Sequence, residues 1–117
     1  MISADRNYRD VLRDELNLRI RANSRYSLRA MARDLKLSPS RLSEVLNCKQ
    51  GLSRAAAEQI AERLGYSNDE RAIFCDLVES AHSRSKTAKA IAKIRLQKHL
   101  ASDSYRELQM DAFRVVS

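Results

Sequence analysis

The chain has 117 residues, 44% of them hydrophobic, and a formal net charge of +7. This length allows one domain, or one domain with an appendage. With 2 glycines and 1 proline, the composition favours helices and leaves few positions for strand turns. No run approaches the roughly 18 apolar residues of a membrane span. The polar N-terminus does not resemble a signal peptide, so we expect a cytoplasmic protein.

The positive charge is concentrated in two blocks. Residues 24–65 contain eight basic and four acidic residues, and residues 80–102 contain six basic residues and no acidic one. A basic excess gathered in this way indicates a polyanionic partner.

The first predicted helix covers residues 7–21. Apolar residues recur at every fourth position from Tyr8 to Ile20, which is the spacing of a buried helical stripe. The same spacing places Arg9, Arg13 and Asp14 on the outward face.

Residues 27–51 are predicted to form two short helices that meet at a sharp angle. Ser27 has the side chain of an N-cap for a helix over residues 28–35. Ser38 is the predicted N-cap of a second helix over residues 39–47, with Pro39 at its first position. The connection between the two helices is too short for anything but a tight corner.

The second of these helices has a polar face that a stable core does not require. Leu42 and Val45 lie on its apolar side, and the opposite side carries amide, carboxylate and hydroxyl groups that suit base edges in the major groove. The predicted base contacts are Ser40, Ser43, Glu44 and Asn47.

This segment resembles the helix-turn-helix of the lambda-repressor-like superfamily, and the resemblance continues through SRAAAEQIAERLG, residues 53–65. The string YSLRAMARDLKLSPSRLSEVLN also resembles the N-terminal region of a bacterial family of larger, little-characterised regulators. The resemblance implies a bundle of four or five helices, with residues 39–47 laid into the major groove of double-stranded DNA. One position departs from the pattern, because glycine is usual where this chain has Lys36. A lysine at positive φ is strained, so we expect a somewhat different corner.

Several basic and polar residues around the two helices are predicted to contact phosphates. Lys49 and Gln50 lie where the superfamily usually touches the DNA backbone, and Gly51 is expected to supply a positive φ after them. Ser53 is the predicted cap of a helix over residues 54–64, whose positive end would favour a phosphate. The predicted phosphate contacts are Arg25, Ser27, Arg29, Ser38, Arg41, Lys49, Gln50 and Arg54.

Two further helices are predicted after Gly65. Ser67 and Glu70 have capping-box spacing and open a helix over residues 68–80, whose acidic residues we expect to face outward. A long basic helix follows over residues 81–101, with an apolar stripe that runs from Ala88 to Leu100 at every fourth position. Its basic residues form a candidate secondary surface: Arg84, Lys86, Lys89, Lys93, Arg95 and Lys98.

The role of the long helix stays open among three interpretations. It binds phosphates, or it uses its Ala/Leu stripe to form a dimer or to join a further domain, or it is a helix of the core. After it, Ser104 and Glu107 again have capping-box spacing and predict a short helix. The alternation of Phe113 with Val115 predicts a strand, which would pair across a dimer or belong to a longer protein.

The sequence lacks the usual groupings of catalytic or metal-binding residues. Cys48 and Cys75 have neither CxxC nor CxxH spacing, and His82 and His99 are far apart on one predicted helix. We therefore expect no enzyme activity, no metal and no cofactor, and we expect neither a small-molecule ligand nor a membrane partner.

Taken together, these patterns predict an all-α protein in which a compact helical bundle with a helix-turn-helix precedes a long basic helix. Residues 1–80 are predicted to form the DNA-binding domain, and residues 81–117 a dimerisation or linking segment. The expected function is sequence-specific DNA binding by a bacterial, nucleoid-associated transcriptional regulator, as a homodimer. The alternatives are a protein-interaction module and a non-specific nucleic-acid binder.

Overall fold

The computed structural model describes residues 2–116, with side chains up to residue 102. Within this range the chain forms six helices and no strand, which confirms the predicted all-α class. The helices are α1 (Tyr8–Ala22), α2 (Leu28–Asp34), α3 (Pro39–Leu46), α4 (Arg54–Arg63), α5 (Asn68–His82) and α6 (Lys86–Val116). No helix of the described range is both long enough and apolar enough to cross a membrane.

The first five helices begin where local sequence places a capping side chain. Asn7, Ser27, Ser38, Ser53 and Ser67 each accept a hydrogen bond from a backbone amide in the first turn that follows. These amides have no partner inside the helix, so each cap removes an unsatisfied donor. The capping box predicted at the start of α5 is present in both directions.

Helices α2, α3 and α4 end alike, in Schellman motifs whose two closing amides bond back into the last turn. The left-handed residue in each motif is Lys36 (φ 56°), Cys48 (φ 62°) or Gly65 (φ 74°). The expectation of a different corner at Lys36 is therefore wrong, since the lysine adopts the conformation for which glycine is usual.

Gly51 was predicted to supply a positive φ, and this prediction is also wrong. The positive φ in this loop belongs to Cys48. Gly51 is required for a steric reason, because a Cβ atom there would lie 2.9 Å from the ring of His82.

The core is built from α1 to α5, in which α1 packs on α3 and α5, α2 packs on α3, and α4 packs on α5. Leu12, Met31, Leu42, Ala57 and Phe74 come from these five helices, and each is fully buried. The bundle of four or five helices that the resemblance implies is thus formed by α1 to α5.

Helix α6 begins later than predicted and packs on α5. Helix α5 extends to His82, and α6 starts at Lys86 rather than near residue 81. Ala92 and Leu96 of the Ala/Leu stripe are buried. The stripe therefore serves the core of this chain and is not free for a partner, whereas Ile91 and Ile94 on another face are exposed.

The predictions for the C-terminal segment are wrong at the level of the backbone. Helix α6 continues to Val116 without a break after residue 101, and residues 113–115 are helical rather than extended. Residues 101–116 contain no glycine or proline that would stop the helix. The predicted capping box of Ser104 and Glu107 lies outside the described side chains.

Candidate nucleic-acid interface

Helix α3 buries one face against the bundle and leaves its other face accessible to solvent. Leu42, Val45 and Leu46 are buried against the bundle, and the four predicted base contacts lie on the remaining surface. Ser40 and Asn47 are exposed, and Ser43 and Glu44 are half-buried. The Asn47 side-chain amide donates to Ser43 Oγ over 3.3 Å, so these two groups lie side by side. The structure thus brings together hydroxyl, carboxylate and amide groups on one helical face.

The serines before α2 and α3 already have one partner each. Ser27 Oγ accepts from the amide of Ala30, and Ser38 Oγ accepts from the amide of Arg41. A hydroxyl that accepts in this way can still donate its own proton. Both serines are exposed, so each can offer that proton to a phosphate oxygen.

Most of the other predicted phosphate contacts are exposed around α2 and α3. This group consists of Arg25, Arg29, Arg41, Lys49 and Gln50. The backbone amides of Lys49 and Gln50 both donate to Glu44 O, at 2.8 and 3.2 Å. The loop that carries these two side chains is therefore fixed to the end of α3.

Arg54 is placed differently from the other predicted phosphate contacts. Its Nη1 atom lies 3.1 Å from Asp76 Oδ1 and also pairs with Glu79. Asp76 is 2% exposed, so the prediction that the acidic residues of α5 face outward is wrong for this residue. Arg95 Nη1 lies 3.2 Å from the same carboxylate oxygen, so two helices place an arginine on one buried acid.

The other basic residues near or on α6 surround its packed face. Lys89 is half-buried, and the other four are exposed: Arg84, Lys86, Lys93 and Lys98. Of the six residues of the candidate secondary surface, Arg95 has its charge matched internally by Asp76.

Two arginines that sequence analysis placed on the outward face of α1 instead reach the end of α3. Arg9 Nε donates to Val45 O over 2.8 Å, and Arg13 Nη2 donates to Leu46 O over 2.6 Å. Arg9 Nη2 also donates to Gln50 O over 3.2 Å. No sequence pattern indicates such contacts, because a main-chain carbonyl carries no residue signature.

A histidine at the end of α5 completes this arrangement. His82 Nε2 lies 2.5 Å from the Tyr8 hydroxyl and 3.4 Å from Arg9 Nη2. Since an arginine only donates, this geometry suits a neutral imidazole with Nε2 as acceptor. Burial, followed by the charges of Arg9 and Lys89, lowers the pKa of His82 below its ordinary value.

A family model described as a helix-turn-helix domain matches residues 17–74, which include α2, α3 and α4. Residues 17–74 form a helix-turn-helix domain of this family. None of the curated proteins and none of the solved structures matches the chain. Helix-turn-helix domains typically bind DNA through the second helix of the motif, so DNA is the partner that the family indicates, and α3 is the second helix of the motif in this chain.

Proposed function

We propose that the protein is a bacterial transcriptional regulator of the cytoplasmic nucleoid that binds double-stranded DNA sequence-specifically as a homodimer. The observation that carries this proposal is the exposed face of α3, which gathers four polar side chains opposite a buried apolar face. A helix used only as scaffold has no need for such a set. Glu44 also argues against purely non-specific binding, because a carboxylate at the groove repels phosphates.

The residues of this interface divide into two roles. Amide, carboxylate and hydroxyl groups on α3 read base edges, with Asn47 suited to adenine and Glu44 to the amino group of cytosine. Cations around the motif hold the phosphates and set the position of α3 without reading sequence. In this division Lys49 and Arg41 belong to the second role, and Arg54 contributes less because Asp76 and Glu79 already match its charge.

A homodimer follows from the small number of base-reading groups. Each good base contact contributes about 1–3 kcal/mol of discrimination, so one α3 helix distinguishes sites weakly. Two copies bound to half-sites about one helical turn apart would double the contacts and read a two-fold symmetric site. Because the Ala/Leu stripe of α6 is packed on α5, a second copy would have to use other surfaces, such as the exposed Ile91 and Ile94.

The proposal is tested by selecting a random duplex library for binding at near-physiological salt and sequencing what is retained. We expect an enriched, two-fold symmetric motif with half-sites about 10 bp apart. Retention without enrichment would support a non-specific nucleic-acid binder instead. If no duplex is retained, the proposal fails and the result favours the alternative of a protein-interaction module.

Single substitutions test the division of roles within the interface. We expect Asn47→Ala and Glu44→Ala to relax the motif at one position each. Lys49→Ala should weaken binding to all sequences alike and reduce the salt slope of log K by about 0.9, the effect of one lost phosphate contact. Glu62→Ala is the matched control for Glu44→Ala, because it removes an exposed carboxylate from α4 and should leave the motif unchanged. Equal losses on selected and random DNA for all variants would overturn the division.

A further inference from the structure

The C-terminal end of the recognition helix has carbonyl groups that its own backbone does not satisfy in the usual way. The amides four residues ahead of Val45 and Leu46 are those of Lys49 and Gln50, and both bond to Glu44 O instead. Val45 O keeps one backbone donor, the amide of Cys48 at 3.3 Å, and a carbonyl oxygen has a second lone pair to offer. Carbonyls in the last turn of a helix otherwise need donors from side chains or water. The structure shows which side chains supply these donors.

Both donors come from α1. Arg9 and Arg13 are one turn apart on that helix and therefore point in the same direction. Between them they reach three carbonyls, those of Val45, Leu46 and Gln50, at 2.8, 2.6 and 3.2 Å. Two cations at the negative end of α3 are also favoured by the helix dipole.

Arg9 also contacts two ring side chains, one from α1 and one from α5. Its guanidinium carbon lies 4.9 Å from the centre of the Tyr8 ring, and its Nη2 lies 3.4 Å from His82 Nε2. His82 in turn occupies the space that a side chain at position 51 would fill. The guanidinium is thus fixed between the recognition helix and the last residue of α5.

We infer that Arg9 and Arg13 are positioning residues for DNA recognition, which fix the C-terminal end of α3 and the following loop without contacting a base. This inference rests on the proposed function, since it concerns the orientation of the helix that reads the bases. His82 links the same arrangement to the junction between α5 and α6, so the orientation of α3 depends on how α5 ends.

The test compares Arg9→Lys and Arg9→Gln in the full chain, using the selected duplex and a random duplex as probes. Lysine keeps the charge but cannot donate from two nitrogens in the fork that reaches both Val45 O and Gln50 O. We expect both variants to bind the selected duplex about tenfold more weakly, because hydrogen bonds from charged donors are among the stronger ones. Binding to the random duplex should change less than about twofold, with an unchanged salt slope.

These readouts separate positioning from two simpler roles. A phosphate contact would be retained by Arg9→Lys, and Arg9→Gln would then reduce the salt slope by about 0.9 on both duplexes. A general loss of folding would lower the affinity for both duplexes equally. Either pattern would overturn the inference. Arg21→Gln is the matched control, because it removes an exposed arginine from the same helix and should leave the preference for the selected duplex intact.

Hydrogen exchange in the DNA-free protein tests the same inference without depending on DNA binding. We expect the amides of Lys49 and Gln50 to exchange at least tenfold faster in both Arg9 variants and at the wild-type rate in Arg21→Gln. Unchanged exchange would overturn the inference even if the protein binds DNA. Faster exchange in a protein that retains no duplex would instead refute the proposed function and leave the structural link in place.

Discussion

The molecule has two sides that use their arginines in opposite ways. One side consists of α1 and the helices α2 and α3, and the other consists of α4 and α6 packed on α5. On the helix-turn-helix side, Arg9 and Arg13 donate to main-chain carbonyls at the end of α3, and a neutral carbonyl does not cancel their positive charge. On the other side, Arg54 and Arg95 meet the buried carboxylate of Asp76, which offsets their charge. The number of basic residues in a segment therefore does not give the positive charge available to a polyanion, because buried acids such as Asp76 pair with some of the cations.

The two sides also differ in how their helices end. The helix-turn-helix closes α2 and α3 with Lys36 and Cys48 in the left-handed conformation, whereas α4 closes with Gly65. A side chain with a Cβ atom is strained in that conformation and glycine is not. Backbone strain is thus found at the ends of α2 and α3, the two helices of the motif.

The largest effect that we predict concerns Asp76, the buried acid that pairs with one arginine from α4 and one from α6. Asp76→Ala removes the buried partner of two arginines, and we expect it to lower the free energy of unfolding by about 2–4 kcal/mol. The loss should fall short of the upper values for buried pairs, because the two arginine side chains are 38% and 51% exposed and can be rehydrated. Urea unfolding measures the change.

Glu79→Ala is the matched control for this prediction, because Glu79 also pairs with Arg54 but is more exposed. We expect a smaller loss for it, about 1 kcal/mol or less, because both side chains of this pair still reach solvent. Similar losses for the two variants would mean that burial of the carboxylate does not distinguish the two sides, and the comparison would then fail.

The next prediction concerns pH, through the histidine where the two sides meet. His82 faces Tyr8 and Arg9 on α1 and Lys89 on α6, and it borders a cavity that Arg54, Glu79 and Arg84 also line. Burial and the neighbouring cations lower its pKa from the ordinary 6.5. The unfolded chain therefore takes up a proton at a higher pH than the folded chain.

It follows that the stability contributed by neutral His82 is complete above about pH 6.5 and is lost as the pH falls towards the folded pKa. We expect the difference in unfolding free energy between wild type and His82→Gln to shrink between about pH 8 and about pH 5. His99→Gln is the matched control, since His99 has no part in this cluster. A difference that stays constant over this range, or grows as the pH falls, would contradict the assignment.

The parts of the fold that sequence analysis predicted correctly are those that depend on neighbouring residues. Ser27, Ser38, Ser53 and Ser67 were all recognised as caps, because a hydroxyl before a helix bonds to an amide two or three positions away. The same local rule predicted a new helix after Ser104, and this prediction is wrong because α6 continues through that position. A capping side chain permits a helix to start but does not force the preceding one to stop.

The parts that sequence analysis missed depend on partners distant in the chain. Arg9 lies 36 residues from Val45 and Asp76 lies 22 residues from Arg54, so no periodicity could pair them. The polar face of α3 was accessible to prediction for the opposite reason, because the spacing within one helix fixes which side chains share a face. The assignment of individual DNA contacts stays a prediction.

The smallest effect that we predict tests the backbone strain at the end of α2 directly. Lys36→Gly should raise the free energy of unfolding by about 0.5–1 kcal/mol, because glycine removes the left-handed penalty but loses more freedom on folding. Lys36→Ala is the matched control, since it removes the same charge and keeps the Cβ atom at φ 56°. Thermal or urea unfolding of the two variants separates backbone from charge. If alanine stabilises as much as glycine, the gain comes from relieving charge repulsion, and the two sides would not differ in strain at this position.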